Sequence, residues 1–224
     1  MKKIIVIGEG QTEQSFCNDV LKPYFGLKGI AIQNPVIKKT QGGIVKWEAL
    51  KHQIETHLLQ EQTTFVTTLI DYYGLYSHHK YPGWEEAEKL VDKNSRMSKL
   101  EDAMFHDIVA GLQRRFIPYI QLHEFEALLF SEIEVFDNSF EKNEFLNYDY
   151  LIETISKNSN PEMINNGNET APSKRLSKIL KDYYSENSNL KVLYGSMLAQ
   201  DIGLQKIRSK CPRFNNWIEK LENI

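Results

Sequence analysis

The hydrophobic residues of the first 130 positions alternate between short continuous runs and helical spacing. Continuous apolar and β-branched runs at 2–8 and 63–71 predict strands that are buried on both faces. Two weaker runs, at 30–38 and 115–123, are further strand candidates, and Pro35 favours an edge or a bulge in the first of them. The pattern therefore predicts four strands.

Apolar residues recur at helical spacing between these runs. Helices are predicted over 12–25, with Thr12 as N-cap, over 45–58, opened by the glycine pair at 42–43, and over 84–112. The order βαβαβαβ predicts an α/β fold, in which a parallel four-stranded sheet is flanked by helices.

The remainder of the chain is predicted to be mostly helical. The stretch 124–130 is typical of a helix start, and further helices are predicted to begin at Ser173 and Pro212. We expect an α/β domain over residues 1–135 and a helical C-terminal extension over residues 136–224 that packs on it.

Composition limits the class of protein more than it identifies it. The chain has 224 residues, of which 41% are hydrophobic and 25% charged, values that are ordinary for a globular protein. No apolar run reaches the ~18 residues that a membrane span needs. Two distant cysteines, Cys17 and Cys211, predict neither a disulfide framework nor a CxxC metal site. We therefore expect no membrane association and a cytoplasmic location.

Charge is unevenly distributed although the formal net charge is only −3. Residues 120–153 carry nine acids and one lysine, whereas residues 173–213 carry nine basic residues and three acids. Such asymmetry is consistent with a cation site beside an anion-binding surface, and equally with two solvated faces of different charge.

The turn after the first strand, Gly8-Glu9-Gly10, is not a phosphate cradle. A dinucleotide fingerprint needs a third glycine, where this chain has Glu13, and a P-loop needs a lysine that the stretch lacks. A carboxylate in the turn would also repel a pyrophosphate.

Acidic residues follow the predicted strands instead. Glu9 follows the first strand, Asp71 ends the third, and Glu124 and Glu126 come after the fourth. Because the carboxyl ends of parallel strands share one edge, we expect these carboxylates to converge. Convergent carboxylates repel one another unless they bind a proton or a cation, and oxygen ligands suit Mg²⁺ or Mn²⁺.

Each of these residues could also have a purely structural role. Glu9 could occupy a tight turn in which Gly10 alone needs a positive φ, and Asp71 could close an Asx turn. Glu13 could favour a helix N-terminus through the helix dipole. The simpler alternatives for the other acids and histidines are first-turn helix acids for Glu124 and Glu126, a buried structural histidine for His123, and a solvated pair for His78 and His79.

Ordered motifs along the whole chain resemble one family. The motifs are EGQTE after the first strand, DYYG at the end of the third, HEFEALLF after the fourth, and the later APSKRL and IRSKCPRFNNW. Together they resemble the Toprim-like proteins of the DUF4276 family.

The resemblance implies a divalent-metal site for phosphodiester chemistry, as in topoisomerases, primases and nucleases of the overcoming-lysogenization-defect type. Glu9 matches the glutamate of the first strand, and Asp71 matches the first aspartate of a D-x-D motif. Tyr73 stands in place of the second aspartate, which puts two-metal chemistry in doubt. Glu126 matches the glutamate after the fourth strand, and Glu124 is a candidate replacement ligand. The resemblance also implies a phage-defence system with an ABC-type or AAA ATPase partner.

The leading hypothesis is a Mg²⁺- or Mn²⁺-dependent nuclease acting on DNA or RNA. Its expected metal ligands are Glu9, Asp71, Glu124 and Glu126, with Glu9 as ligand or general base. Its expected catalytic residues are Glu9, Asp71, Glu126 and Lys46. Lys46, Lys174 or Arg175 would neutralise the scissile phosphate, although a helix-start lysine and a solvated basic turn are equally simple interpretations. The expected nucleic-acid contacts are Arg208, Lys210 and Arg213 through phosphates, and Tyr72, Tyr73, Tyr76 and Tyr81 through stacking or, alternatively, loop packing.

Two further functions remain open from the sequence. One is a catalytically decayed binding or sensing subunit, which the Tyr73 departure favours. The second is phosphoryl transfer on a nucleotide or a small phosphoester, which the modest net charge permits.

Overall fold

The computed structural model describes residues 2–38, 44–165, 167–183 and 188–224. The chain divides into two compact units, of which unit 1 comprises residues 1–122 and 217–224, and unit 2 comprises residues 123–216. This division differs from the boundary expected at residue 135. The predicted helix start at the glycine pair 42–43 lies outside the described residues.

Unit 1 contains a parallel sheet, as the α/β pattern predicts. Its strands are β1 (Lys2–Gly8), β2 (Ile30–Gln33), β3 (Thr64–Asp71), β4 (Phe116–Ile117) and β5 (Ile120–Gln121). They are ordered β2-β1-β3-β4, with β5 also paired to β3, and every pairing is parallel. Gly8 pairs with Leu69, so β1 and β3 reach their carboxyl ends at the same edge of the sheet.

The expectation of four strands is wrong in one respect, because the fourth run forms two short strands on either side of Pro118 and Tyr119. Proline has no N–H for the strand ladder. Threonine hydroxyls of β3 replace the lost bonds: Thr67 donates to the carbonyl of Ile117 at 2.5 Å, and Thr68 accepts from the Tyr119 N–H at 3.0 Å. The described sheet therefore has five strands.

Helices cover the sheet of unit 1. They are α1 (Gln11–Phe16), α2 (Lys22–Gly26), α3 (Trp47–Gln60), α4 (Trp84–Glu88) and α5 (Lys93–Asp107), with a π-helical turn over Cys17–Leu21. The apolar faces of α3 and α5 belong to one buried core with β1 and β3. This burial supplies the main stabilisation of the unit.

The helix expected over 84–112 is interrupted between α4 and α5. Asp92 caps α5 by accepting a hydrogen bond from the Ser95 N–H at 2.7 Å. The Arg96 guanidinium donates to the carbonyls of Glu88 and Leu90, at 3.3 and 2.8 Å. A new N-cap and a side chain that binds the preceding carbonyls explain why the helix does not continue.

Unit 2 is helical within the described residues. Its helices are α6 (Ile133–Ser139), α7 (Tyr148–Lys157), α8 (Pro172–Ile179), α9 (Ser188–Ile202), α10 (Leu204–Lys210) and the start of α11 (Pro212–Glu222). A short 3₁₀ segment, Phe125–Ser131, is buried along its whole length. In the described part of the chain, no helix is both long and apolar enough to cross a membrane.

Candidate functional site

The side chain of Glu9 contacts the end of β3. Its Oε2 accepts a hydrogen bond from the Asp71 N–H at 3.2 Å, and its own N–H donates to the Leu69 carbonyl at 3.2 Å. Both Glu9 and Asp71 are half-buried, so each keeps part of its surface open. The structure therefore brings together the two acids that the sequence predicts for unit 1.

The residues that follow Glu9 form the start of α1. Thr12 is not the N-cap: Gly10 holds that position, and its N–H donates to Glu13 Oε2 at 2.8 Å. Gly10 has a φ of −148°, so it does not need the positive φ considered for it. A Cβ on Gly8 would lie 3.1 Å from the Cβ of Glu13. Gly8 therefore allows α1 to approach β1, and Glu13 lies in the first turn of the helix.

Two tryptophans that sequence reasoning missed, Trp47 and Trp84, pack against predicted tyrosines of the segment after β3. Tyr81 is 3% exposed, and burial, followed by the charge of Glu9, raises its pKa. Its ring lies 5.5 Å from Trp47, and Tyr72 stacks on Trp84 at 6.2 Å. The two tryptophans are the first residues of α3 and α4. A tryptophan at the start of a helix that follows a loop from the sheet is the sequence signal that could have identified them.

The tyrosines proposed for base stacking have different surroundings. Tyr81 is buried, Tyr72 and Tyr73 are half-buried, and Tyr76 is 56% exposed. The Tyr72 hydroxyl also accepts a hydrogen bond from Arg96 at 3.1 Å. Loop packing therefore describes Tyr81, and Tyr76 has the most accessible ring of the four.

Lys46 is exposed and stands at the N-cap position of α3. Its carbonyl accepts hydrogen bonds from the N–H groups of Ala49 and Leu50, at 3.0 and 3.3 Å. The next residue, Trp47, packs on Tyr81, whose pKa responds to Glu9.

Glu124 in unit 2 binds the start of α8. Its Oε2 accepts from the Ser173 N–H at 2.8 Å, and its Oε1 accepts from the Ser173 hydroxyl at 2.9 Å. Burial, followed by the charge of Glu126, raises the pKa of Glu124. The carboxylate therefore caps a helix in this structure.

Glu126 is 2% exposed and forms an ion pair with Lys191, with Oε1 and Nζ 2.7 Å apart. A buried charge of this kind requires a partner, and the ammonium supplies it. His123 is also buried and has a φ of 70°, an unusual conformation for a residue other than glycine. Neither Glu124 nor Glu126 is an open ligand here, since one caps a helix and the other is paired.

The predicted basic residues divide between internal contacts and open positions. Arg175 donates to the Thr170 carbonyl at 2.9 Å and to the Thr154 hydroxyl at 3.1 Å, which ties α8 to neighbouring segments. Arg208 donates to Asn215 Oδ1 at 2.7 Å. Lys174 and Lys210 are exposed. The backbone N–H of Arg213 donates to Glu162 Oε2 at 2.9 Å.

A divalent cation is compatible with the donor set of unit 1. Mg²⁺ is commonly held by one or two carboxylates, with water and substrate phosphates completing its ligands. Glu9 and Asp71 supply such a pair. Among the residues that the structure describes, no three side chains of His, Cys, Asp or Glu form a candidate metal cluster. The residues present therefore fit a cation that depends on water or substrate for further ligands.

The fold and site define an α/β protein with two acidic side chains at the carboxyl edge of a parallel sheet. A family model described as "Domain of unknown function (DUF4276)" matches residues 8–222, and the chain belongs to this family. Comparison with curated proteins gives no match, and neither does comparison with solved structures.

Proposed function

We propose that this protein is a Toprim-like, metal-dependent nuclease that hydrolyses phosphodiester bonds. The observation that supports it best is the contact between Glu9 Oε2 and the Asp71 N–H at 3.2 Å. It ties the Glu9 carboxylate to the backbone of a second half-buried acid at the carboxyl edge of the sheet, where ligands of open α/β sheets bind.

Glu9 and Asp71 would hold Mg²⁺ or Mn²⁺ at this edge. Such a cation, when bound, polarises a phosphoryl oxygen and lowers the pKa of bound water. Glu9 would in addition accept a proton from a water molecule, a role supported by its hydrogen bond to the Asp71 N–H and its partial exposure. Lys46, exposed at the start of α3, would neutralise charge on the substrate phosphate.

A calorimetric Mn²⁺ titration of the full chain tests the metal site first. We expect the wild type to bind, and Glu9→Gln and Asp71→Asn to weaken binding at least about tenfold, because each loses one anionic oxygen ligand. Glu48→Gln, an exposed glutamate of α3, is the matched control and should bind like the wild type. Undiminished binding in both site variants would overturn the proposal.

Cleavage of labelled DNA and RNA is the second measurement. Wild type and the Glu48→Gln control should cut in Mn²⁺, whereas Glu9→Gln and Asp71→Asn should lose about 10²-fold or more in rate. Cleavage that persists in both site variants would assign the chemistry elsewhere.

A binding or sensing subunit is the second candidate function. Three observations favour it: Tyr73 replaces an expected acid, Glu124 caps a helix, and Glu126 is paired with Lys191. This candidate predicts no carboxylate-dependent Mn²⁺ binding, so the same titration separates the two. Under either function, the family resemblance leads us to propose a role in phage defence with an ATPase partner, which co-purification with that ATPase would test.

A further inference from the structure

Three of the aromatic rings in the segment between β3 and α4 lie close together. The ring of Tyr76 lies 5.6 Å from that of His78, with 16° between their planes, and 6.0 Å from that of His79, with 28°. The two imidazoles lie 4.1 Å apart. Tyr76 is 56% exposed, His78 is exposed and His79 is half-buried. We call Tyr76, His78 and His79 the ring cluster.

The ring cluster is ordered by its own backbone. His79 Nδ1 accepts a hydrogen bond from the Tyr76 N–H at 3.0 Å, which fixes the orientation of that imidazole. Lys80 adopts a left-handed conformation with a φ of 57° and ends the 3₁₀ turn. Leu75 and Tyr81, on either side, are only 5% and 3% exposed and anchor the segment in the core. Rings fixed before binding lose little entropy when a ligand stacks on them.

We propose that the ring cluster is a stacking platform for unpaired bases of single-stranded nucleic acid. The inference rests on the proposed function and adds that the substrate is single-stranded where it binds. Bases within a duplex are already stacked on their neighbours, whereas splayed bases offer a free face to aromatic side chains. The rings of Tyr76 and His78 are both exposed and 16° from parallel, an arrangement suited to splayed bases.

Charge and position support the same ligand. Lys80 directly follows the cluster and is exposed, so it offers a positive charge to a phosphate of the bound strand. The strand would then pass from the rings toward the edge where Glu9 and Asp71 lie. The sequence alone favoured a solvated pair for His78 and His79, and the structure adds that both rings lie beside that of Tyr76.

Fluorescence anisotropy with short labelled strands tests the platform. Full-length wild type and variants are titrated with oligo(dT), with oligo(U) and with a duplex of equal length, in EDTA. We expect Tyr76→Ala to weaken single-strand binding about tenfold, because one aromatic surface for base stacking is lost. The slope of log affinity against log salt should stay unchanged, because no phosphate contact is lost.

Matched variants separate stacking from general effects. Tyr76→Phe keeps the ring and should bind like the wild type, and His78→Ala should weaken binding in the same direction as Tyr76→Ala. His52→Ala, an exposed histidine of α3, should leave affinity unchanged. Because Tyr76 is exposed, its variants should keep the melting temperature of the wild type.

Several outcomes would overturn the inference. They are equal affinity of Tyr76→Ala and the wild type, equal or stronger binding of the duplex, and single-strand binding that requires added Zn²⁺ and so assigns the histidine pair to a metal. Because EDTA removes divalent cations, the binding assay tests the platform separately from the metal-dependent nuclease. If the protein binds single strands but does not cleave them, the platform is supported and the nuclease proposal is contradicted. If the protein cleaves its substrate and Tyr76→Ala cleaves it equally well, the nuclease is supported and the platform is contradicted.

Discussion

Two glycines with the same φ show how strongly local space decides the effect of one methyl group. Gly83 and Gly29 both have a φ of 72°, where side chains are disfavoured. A Cβ at Gly83 would lie 2.8 Å from the Cβ of Ala103, whereas a Cβ at Gly29 would meet nothing within 4 Å. Gly83 therefore carries both a conformational and a packing requirement.

Gly83→Ala should consequently destabilise the protein more than Gly29→Ala. We expect a loss of about 1–2 kcal/mol at Gly29 from the left-handed conformation alone. At Gly83 we expect about 2–4 kcal/mol, since overpacking against Ala103 adds to it. Urea denaturation of both variants measures the difference, and equal losses would show that α5 moves away without cost.

The acids of the candidate site were predictable at the residue scale, but their partners were not. Glu9 and Asp71 follow from the rule that parallel strands end at one edge, which needs only strand order. Arg175 and Arg208 were expected to face phosphates, yet both donate to groups of the protein. Such bonds join residues brought close by tertiary packing, and no sequence spacing reports them.

At the scale of elements, continuous apolar runs were the most reliable signal. β1 and β3 match their predicted runs closely because strands buried on both faces favour continuous apolar and β-branched residues. The break at Pro118 and the gap between α4 and α5 were not foreseen. Both depend on side chains, Thr68 and Arg96, that bind backbone groups which the regular element would otherwise use.

The start of α8 has a pH-dependent stability through Glu124. Burial and the charge of Glu126 raise the pKa of this carboxyl in the folded state, so the folded protein binds its proton more tightly than the unfolded chain does. Its contribution to stability is therefore present below the unfolded pKa of about 4.3 and is lost as pH rises through the folded pKa.

Glu124→Gln should remove this dependence, because glutamine is neutral and can still accept from the Ser173 N–H. We expect the variant to gain stability relative to the wild type as pH rises from about 4 upward, with a constant difference above the folded pKa. Urea denaturation across this range measures it, with Glu134→Gln, an exposed glutamate of α6, as control. A difference that does not change with pH would contradict the assignment.

At the scale of the whole molecule, each unit contains one buried cysteine. Cys17 is 1% exposed in unit 1, and Cys211 is 0% exposed in unit 2. Burial raises the pKa of both thiols, which keeps them protonated and unreactive. Each thiol therefore reports the opening of its own unit.

Neither thiol should react with a maleimide at neutral pH until its unit opens. We expect labelling at least about 10³-fold slower than in denatured protein, because the reaction must wait for unfolding. Mass spectrometry of Cys17→Ser and Cys211→Ser across a urea series then gives one transition per unit. Fast labelling of either variant in native buffer would contradict the burial described for the cysteine that the variant retains.

The discontinuity of unit 1 has a consequence for synthesis on the ribosome. Trp217 belongs to this unit: its indole N–H donates to the Thr67 hydroxyl at 2.8 Å, and its ring stacks on Tyr119 at 4.6 Å. Residues 123–216 must all be translated before Trp217 exists. Until then, the nascent sheet lacks the contacts of the indole with Tyr119 and Thr67. Unit 1 is therefore the first to begin emerging from the ribosome, but it is complete only after unit 2 has been translated.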